Sequence, residues 1–239
     1  VVKSGLSPGR AELHLGCSMK ILSAKGKISG LTLIEVLLMI ALIAILAALA
    51  LPSGGGPRRA EMVICMSNQK QIALGLIMFK DDHAGEYPWQ SSATNGGSSE
   101  FASSRQAFPH FRALSAYLGK QARVFICPTD KATQEAANYA QLLDTNISYF
   151  LDLDVGTNSA SILTGDRHLE ANGKAVYQGL FIYSTNAVLN WTRELHGKVR
   201  NGPIGVLSFA DGHAEAVKTA NLNTVFQRQG SVSERLAVP

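Results

Sequence analysis

The apolar and polar positions of this 239-residue chain fall into three successive patterns. The first is an unbroken apolar run. From residue 31 to residue 51 only Thr32 and Glu35 are not apolar. As a helix rising about 1.5 Å per residue, the run reaches roughly 30 Å, the hydrocarbon thickness of a bilayer. A surface helix of that length would show a polar face, and this one shows none. A transmembrane helix over residues 31–52 is therefore predicted. The second pattern is periodic. Met62, Cys65, Ile72, Leu76 and Phe79 recur at steps of three, four or seven, which predicts a helix from residue 58 to 80 with one apolar stripe packed on a sheet. Ser67, Asn68, Lys70 and Gln71 lie largely off that stripe. Pro52 and three glycines separate the two helices, and each glycine costs a helix about 1 kcal/mol, so residues 53–57 are expected to form a hinge.

Beyond residue 80 the pattern is short and mixed. The stretch Asp81-Asp82-His83-Ala84-Gly85-Glu86-Tyr87-Pro88 carries turn chemistry and ends the helix. Residues 90–104 are rich in Ser, Gly and Asn and read as an exposed loop. A short helix is expected over 108–118. Strands are expected at 124–128, 147–151 and 160–164, with a turn at Gly165-Asp166-Arg167. The clearest signal is the apolar run 204–210, then Asp211-Gly212, then 213–217, a hairpin in which glycine accepts the positive φ of a tight turn. Leu222, Val225 and Phe226 suggest a closing helix. The fold class expected is α+β: an N-terminal hydrophobic helix, then a helix packed on an antiparallel sheet.

Charge sharpens the picture at one end only. Lys3, Arg10, Lys20, Lys25 and Lys27 face a single acid, Glu12, so the formal excess of +4 sits before the apolar run and the rest of the chain is neutral. Nothing in the body argues for nucleic-acid binding. Bases ahead of a span place the N-terminus in the cytoplasm. Arg58 and Arg59, on the far side, weaken that bias without reversing it. Of three cysteines, Cys17 precedes the span, while Cys65 and Cys127 follow it at a spacing that fits no zinc motif. Outside the cytoplasm a Cys65–Cys127 disulfide is an open alternative.

A short basic segment, MKILSAKGKISG, precedes the apolar core and ends in Gly30. Met19 reads as a start, which would make residues 1–18 an upstream extension and 19–30 a leader; an alternative start codon at Val1 is the other reading. The stretch G-L-T-L-I-E-V-L-L-M-I resembles the processing signal of type IV pilins and type II secretion pseudopilins. The resemblance implies cleavage by a prepilin peptidase after Gly30 and N-methylation of Leu31, where the family usually has Phe. Thr32, Glu35 and Pro52 fall where the family places its Thr, Glu and helix-kinking Pro. It also implies a role for Glu35: a carboxylate is costly inside a membrane, and in the family it is neutralised by the N-terminal amine of a neighbouring subunit. The rival reading is a plain anchor whose Glu35 snorkels to the interface.

Three further segments are similar to pilin-like proteins. They are C-x-S-N-Q-K-Q-I-A-L-G through K-D-D-H-A-G-E-Y-P (residues 65–88), C-P-T-D (127–130), and His196 followed by Asp211-Gly212. In the last, fourteen residues intervene, more than the family usually has, which implies an insertion before residue 205. The resemblance implies a structural, non-enzymatic subunit: leader, membrane helix, hinge, and a head over 58–239 outside the cytoplasm. The subunit would be anchored in the inner membrane with prepilin peptidase and other pilin or pseudopilin subunits as partners.

Candidate chemistry is sparse. His196, Asp211 and His213 could converge on zinc or a similar ion, which would suit a membrane-anchored metal-dependent hydrolase. The alternative is that Asp211 makes the turn while His196 braces the hairpin. Asp152 and Asp154, in DLDVGTNS, offer oxygens to calcium, as pseudopilin heads do, but the spacing lacks most of a calcium loop. Asp130 and Asp166 are weaker candidates of the same kind. No cofactor is otherwise expected. A second rival is a surface adhesion module using loop 90–104 or 152–160 with Tyr87, Trp89 and Trp191.

Overall fold

A computed structural model describes residues 30–50, 57–120, 122–184, 186–192, 196, 202–230 and 233–239. The leader before Gly30, Pro52 and hinge residues 53–56 lie outside the described residues, as does most of the insertion between His196 and residue 205. The chain divides into two compact units, Val1–Ser53 and Gly54–Pro239.

In the first unit, helix α1 spans Leu33–Ala50. Its start is fixed locally. Oε2 of Glu35 accepts from the backbone N–H and the hydroxyl of Thr32, both at 2.9 Å, and the N–H of Glu35 reaches back to Thr32 Oγ1 at 3.4 Å. This Thr-x-x-Glu arrangement is a capping box, which satisfies amides that the first turn leaves without helical partners. Beyond it, large apolar side chains are exposed in every direction around the helix, among them Leu33, Ile34, Leu38 and Ile43.

In the second unit, α2 spans Pro57–Asp82, close to expectation, with Pro57 at the first position where a missing N–H costs nothing. By length and composition α2 could also cross a membrane. Its stripe is instead spent on the head: Cys65, Ile72, Leu76 and Phe79 are buried, and Met62 is half-buried. Helix α3 (Phe108–Arg112) runs on into a 3-10 turn, Ala113–Ala116.

The strands are β1 (Tyr149–Asp152), β2 (Ile162–Asp166), β3 (Leu169–Ala171), β4 (Lys174–Ala175), β5 (Gly179–Ser184), β6 (Leu189–Trp191), β7 (Ile204–Phe209), β8 (Ala214–Lys218) and β9 (Ser233–Val238). Six form a sheet in the order β5-β9-β1-β2-β7-β8, and three form a second sheet, β4-β3-β6. All the pairings are antiparallel. The large sheet is covered on both faces. Tyr149, Leu151, Leu163 and Val206 join the core that contains α2. Phe150, Ile162, Leu207, Phe209 and Leu236 join a second core with α4 (Thr219–Gln227), Trp191 and Leu169. Strands buried on both faces read as near-continuous apolar runs, as 147–151 and 204–210 do apart from Ser148 and Ser208.

Two local expectations are corrected. Residues 124–128 are not a strand: a 3-10 turn, Ala122–Phe125, occupies part of the segment. Its carbonyls are taken by isolated donors, Ser148 N–H on Phe125 O and the Asn68 amide on Ile126 O, both at 2.9 Å. Gly165-Asp166 is not a turn but the buried end of β2. Glycine is needed there because an added Cβ would lie 2.4 Å from Leu207 and 2.6 Å from Phe150. The loop 90–104 is largely exposed, as expected, and is anchored where Ser91 and Ser98 are buried and Ser98 donates to Pro88 O at 3.1 Å.

The Asp211-Gly212 hairpin forms as expected. Gly212 has φ 84° and donates to Phe209 O at 2.8 Å.

Candidate functional site

Four side chains that are far apart in sequence meet inside the head. Cys65 comes from the buried stripe of α2. Cys127 follows the 3-10 turn, Asp166 ends β2, and His196 lies between β6 and β7. All four are buried, and their donor atoms lie within 4.8 Å of one another.

A bulge aims Asp166 at this point. β2 pairs with β7 as Ile162↔Phe209, then Thr164↔Ser208 and Gly165↔Leu207, so one extra residue of β2 is accommodated between Ile162 and Thr164. Ile162 faces the α4 core, and strict alternation would turn Asp166 the same way. The extra residue reverses that. Gly165 faces Phe150 and Leu207, and Asp166, paired with Tyr149, faces α2.

The contacts around Asp166 are specific. Its Oδ1 accepts from Cys65 Sγ and from Gln69 Nε2, each at 3.3 Å. Its Oδ2 accepts from the Val206 N–H at 2.7 Å and lies 3.5 Å from His196 Nε2. The same imidazole nitrogen is 3.6 Å from Cys127 Sγ, which also contacts Thr129 Oγ1 at 3.0 Å. Gln69 donates additionally to Val206 O at 3.0 Å.

The electrostatics follow from crowding in a dry place. Burial pushes the Asp166 carboxyl up, with the neighbouring Cys127 adding to the shift. Burial also pushes the Cys65 thiol well up. The Cys127 thiol is pushed down, chiefly by its hydrogen bond with Cys65 and against the effect of burial. For His196 burial favours the neutral ring, but Cys127 and Asp166 beside it outweigh burial and raise its pKa.

Such a group does not assemble a nucleophile relay. A Cys–His–Asp relay needs one ring nitrogen for the nucleophile and the other for the carboxylate. Here Sγ and Oδ2 both approach Nε2.

The other expected site residues fall elsewhere. Asp211 and His213 bond to each other on the exposed hairpin, with the His213 ring stacked on Phe209, while His196 is buried with the cysteines. The His196–Asp211–His213 set is therefore not assembled; His196 lies instead against Asp166, which accepts from Val206 of the hairpin strand β7. Asp154 is held by Arg235 through Nε and Nη2 at 2.6–3.0 Å, and Asp152 is buried, its Oδ1 accepting from the Asp154 N–H at 2.9 Å. Arg235 thus takes up the Asp154 carboxylate, while Asp152 Oδ2 is buried without a hydrogen-bond partner among the described residues. Asp130 pairs with Arg167 at 3.1 Å and accepts from Thr133 at 2.7 Å. Tyr87, Trp89 and Trp191 are core residues, each 3 % exposed. Cys65 and Cys127 are free thiols.

Gln69 and the convergence itself were not anticipated from sequence. The available signal was only that Cys65, Cys127 and His196 are scarce, chemically capable side chains on the same side of the apolar run. No protein family, curated protein or solved structure matches the chain.

Proposed function

We propose that this chain is a pilin-like or pseudopilin-like structural subunit. It would be processed between Gly30 and Leu31, anchored in the inner membrane with its N-terminus cytoplasmic, and packed through α1 into a filament of the type II secretion or type IV pilus kind. The supporting observation is α1 itself. It is an 18-residue apolar helix with exposed side chains in every direction, and its one acid sits in the first turn. A helix that is apolar all round belongs in lipid or among other apolar helices. Membrane anchoring uses the first environment and filament assembly the second.

The Thr32–Glu35 bonds refine the reading of the acid. The carboxylate has an internal role, because it caps its own helix through Oε2. In the proposed assembly the amine of Leu31 on a neighbouring copy supplies the countercharge. The head works mechanically in this reading, and no catalytic step is assigned to it. Surface adhesion is less favoured, since Tyr87, Trp89 and Trp191 are core residues.

Mass spectrometry of the N-terminus, after expression of the full chain with a prepilin peptidase, tests the proposal. The expected peptide begins with N-methyl-leucine at Leu31. An uncut leader, or cleavage after Ala50, would overturn it.

A further inference from the structure

We propose that Cys65, Cys127, Asp166 and His196 form a closed structural zinc site that ties together the four segments of the head. The inference stands apart from the filament reading and holds or fails independently of it.

The geometry carries it. Zinc takes four ligands in a tetrahedron, with bonds of about 2.0–2.2 Å to nitrogen or oxygen and about 2.3 Å to sulfur, which sets the ligands roughly 3.3–3.8 Å apart. The separations here are 3.3 Å for Cys65 Sγ to Asp166 Oδ1, 3.5 Å for His196 Nε2 to Asp166 Oδ2 and 3.6 Å for Cys127 Sγ to His196 Nε2. The carboxylate meets Cys65 through one oxygen and His196 through the other, so a single ligating oxygen accounts for one of those two edges, and one donor atom from each residue lies within 4.8 Å of the others. As a nitrogen–oxygen hydrogen bond, 3.5 Å is long. As an edge of a coordination tetrahedron it fits. A sulfur and an oxygen also converge on one imidazole nitrogen, as they would around an ion held by that nitrogen's lone pair.

The surroundings are built in the same sense. Ligating carboxylates are usually held by hydrogen bonds from behind. Asp166 has two such donors, the Gln69 amide and the Val206 N–H. Gln69 is itself fully buried. Two thiolates with an imidazole and a carboxylate suit zinc, whereas calcium and magnesium prefer all-oxygen sets. The site is buried, and all four positions are filled by protein, the mark of a structural rather than a catalytic zinc. On binding, Cys65 and Cys127 release their thiol protons to solvent, and His196 ligates through Nε2 with its remaining proton on Nδ1. A disulfide is the competing fate of the two sulfurs. It would leave the Asp166 carboxylate and His196 Nε2 buried beside each other without the ion.

The test uses the full chain, purified in detergent without reductant or chelator. Elemental analysis should give about one zinc per chain, and denaturing alkylation should find both Cys65 and Cys127 as thiols. Cobalt substitution should give thiolate-to-metal charge transfer and tetrahedral d–d bands. Cys127→Ser and His196→Ala should each lower zinc below about 0.2 per chain, while His213→Ala keeps it. Should the first two fail to fold, the wild-type protein decides. A zinc chelator should lower its thermal midpoint, and Zn²⁺ but not Ca²⁺ should restore it. A Cys65–Cys127 disulfide in the intact mass would overturn the proposal. So would a folded wild-type chain that holds no zinc and whose midpoint is unmoved by chelator and Zn²⁺.

Discussion

Gln69 donates its side-chain amide to Asp166 Oδ1 at 3.3 Å across the interface between α2 and β2, and to Val206 O at 3.0 Å. Both residues are fully buried, so no solvent replaces either bond if it is lost. Gln69→Leu should therefore destabilise the head by about 1–3 kcal/mol, the usual cost of leaving a buried acceptor short of a partner. Gln69→Glu should cost more, because it sets a second acid against Asp166. Urea unfolding checks both, and midpoints equal to wild type would show that the pair is not a structural link.

Thr32 and Glu35 separate capping from charge. Thr32→Ala removes the hydroxyl from the cap but keeps the carboxylate. Glu35→Gln keeps an acceptor for the cap but loses the charge. If the countercharge of a neighbouring amine drives assembly, Glu35→Gln and Glu35→Ala should both abolish incorporation into filaments while membrane insertion persists. Thr32→Ala should still incorporate. Sedimentation of sheared filaments against membrane fractions measures this, and normal incorporation of Glu35→Gln would refute the charge role.

Much of the fold was legible where periodicity was strong. The α2 stripe, the runs at 147–151 and 204–210, the Asp211-Gly212 hairpin and the closing helix are each set by local pattern. The failures have physical reasons. Val124 to Pro128 is β-prone, yet Phe125, fully buried, is held by tertiary packing and single hydrogen bonds rather than by a ladder. Gly165-Asp166 mimics a turn, because sequence does not reveal that the glycine makes room for Phe150 and Leu207. The bulge that aims Asp166 leaves no local signature. Without it, neither the partner of Gln69 nor the grouping of two cysteines with His196 was accessible. The edge strand β5, its neighbour β9 and the small sheet were missed: β5 is only partly buried, β9 opens with the polar run Ser233-Glu234-Arg235, and the strands of the small sheet are two or three residues long.

Gly205 in β7 is fitted to Trp191. A Cβ at Gly205 would sit 2.5–2.7 Å from three atoms of the indole ring. The ring is anchored, since its Nε1 donates to Val217 O at 2.9 Å, so it cannot swing away without breaking that bond. Gly205→Ala should destabilise the head by about 1–3 kcal/mol through overpacking. Pairing it with Trp191→Phe, which is smaller and lacks the anchoring N–H, should recover part of the loss. Thermal unfolding of the two single variants and the double variant checks this, and strictly additive losses would count against direct contact.

His110 sets an acid limit on the head. It is fully buried, with its ring edge-to-face with Trp89, and its Nδ1 lies 2.7 Å from Ser98 Oγ. Ser98 spends its one hydroxyl proton on Pro88 O, so the ring donates from Nδ1 and Nε2 carries the lone pair. That Nε2 is buried without a hydrogen-bond partner among the described residues, and a proton placed there would be an unsolvated charge. Burial accordingly lowers the His110 pKa to about 4 from its ordinary 6.5. In the unfolded chain the same ring takes up its proton near pH 6.5. Below that value the unfolded state binds more protons than the folded state, so stability falls as the pH drops. The contribution is complete above pH 6.5 and declines through the interval down to about 4, by a few kcal/mol in all. His110→Asn, which can still donate to Ser98 but does not titrate, should flatten the stability curve in that interval. Urea unfolding between pH 4 and 7 measures the slope, with NMR of the ring at pH 5 as a direct check. A protonated His110 in the folded protein at pH 5, or an unchanged slope in the variant, would show that the acid sensitivity arises elsewhere.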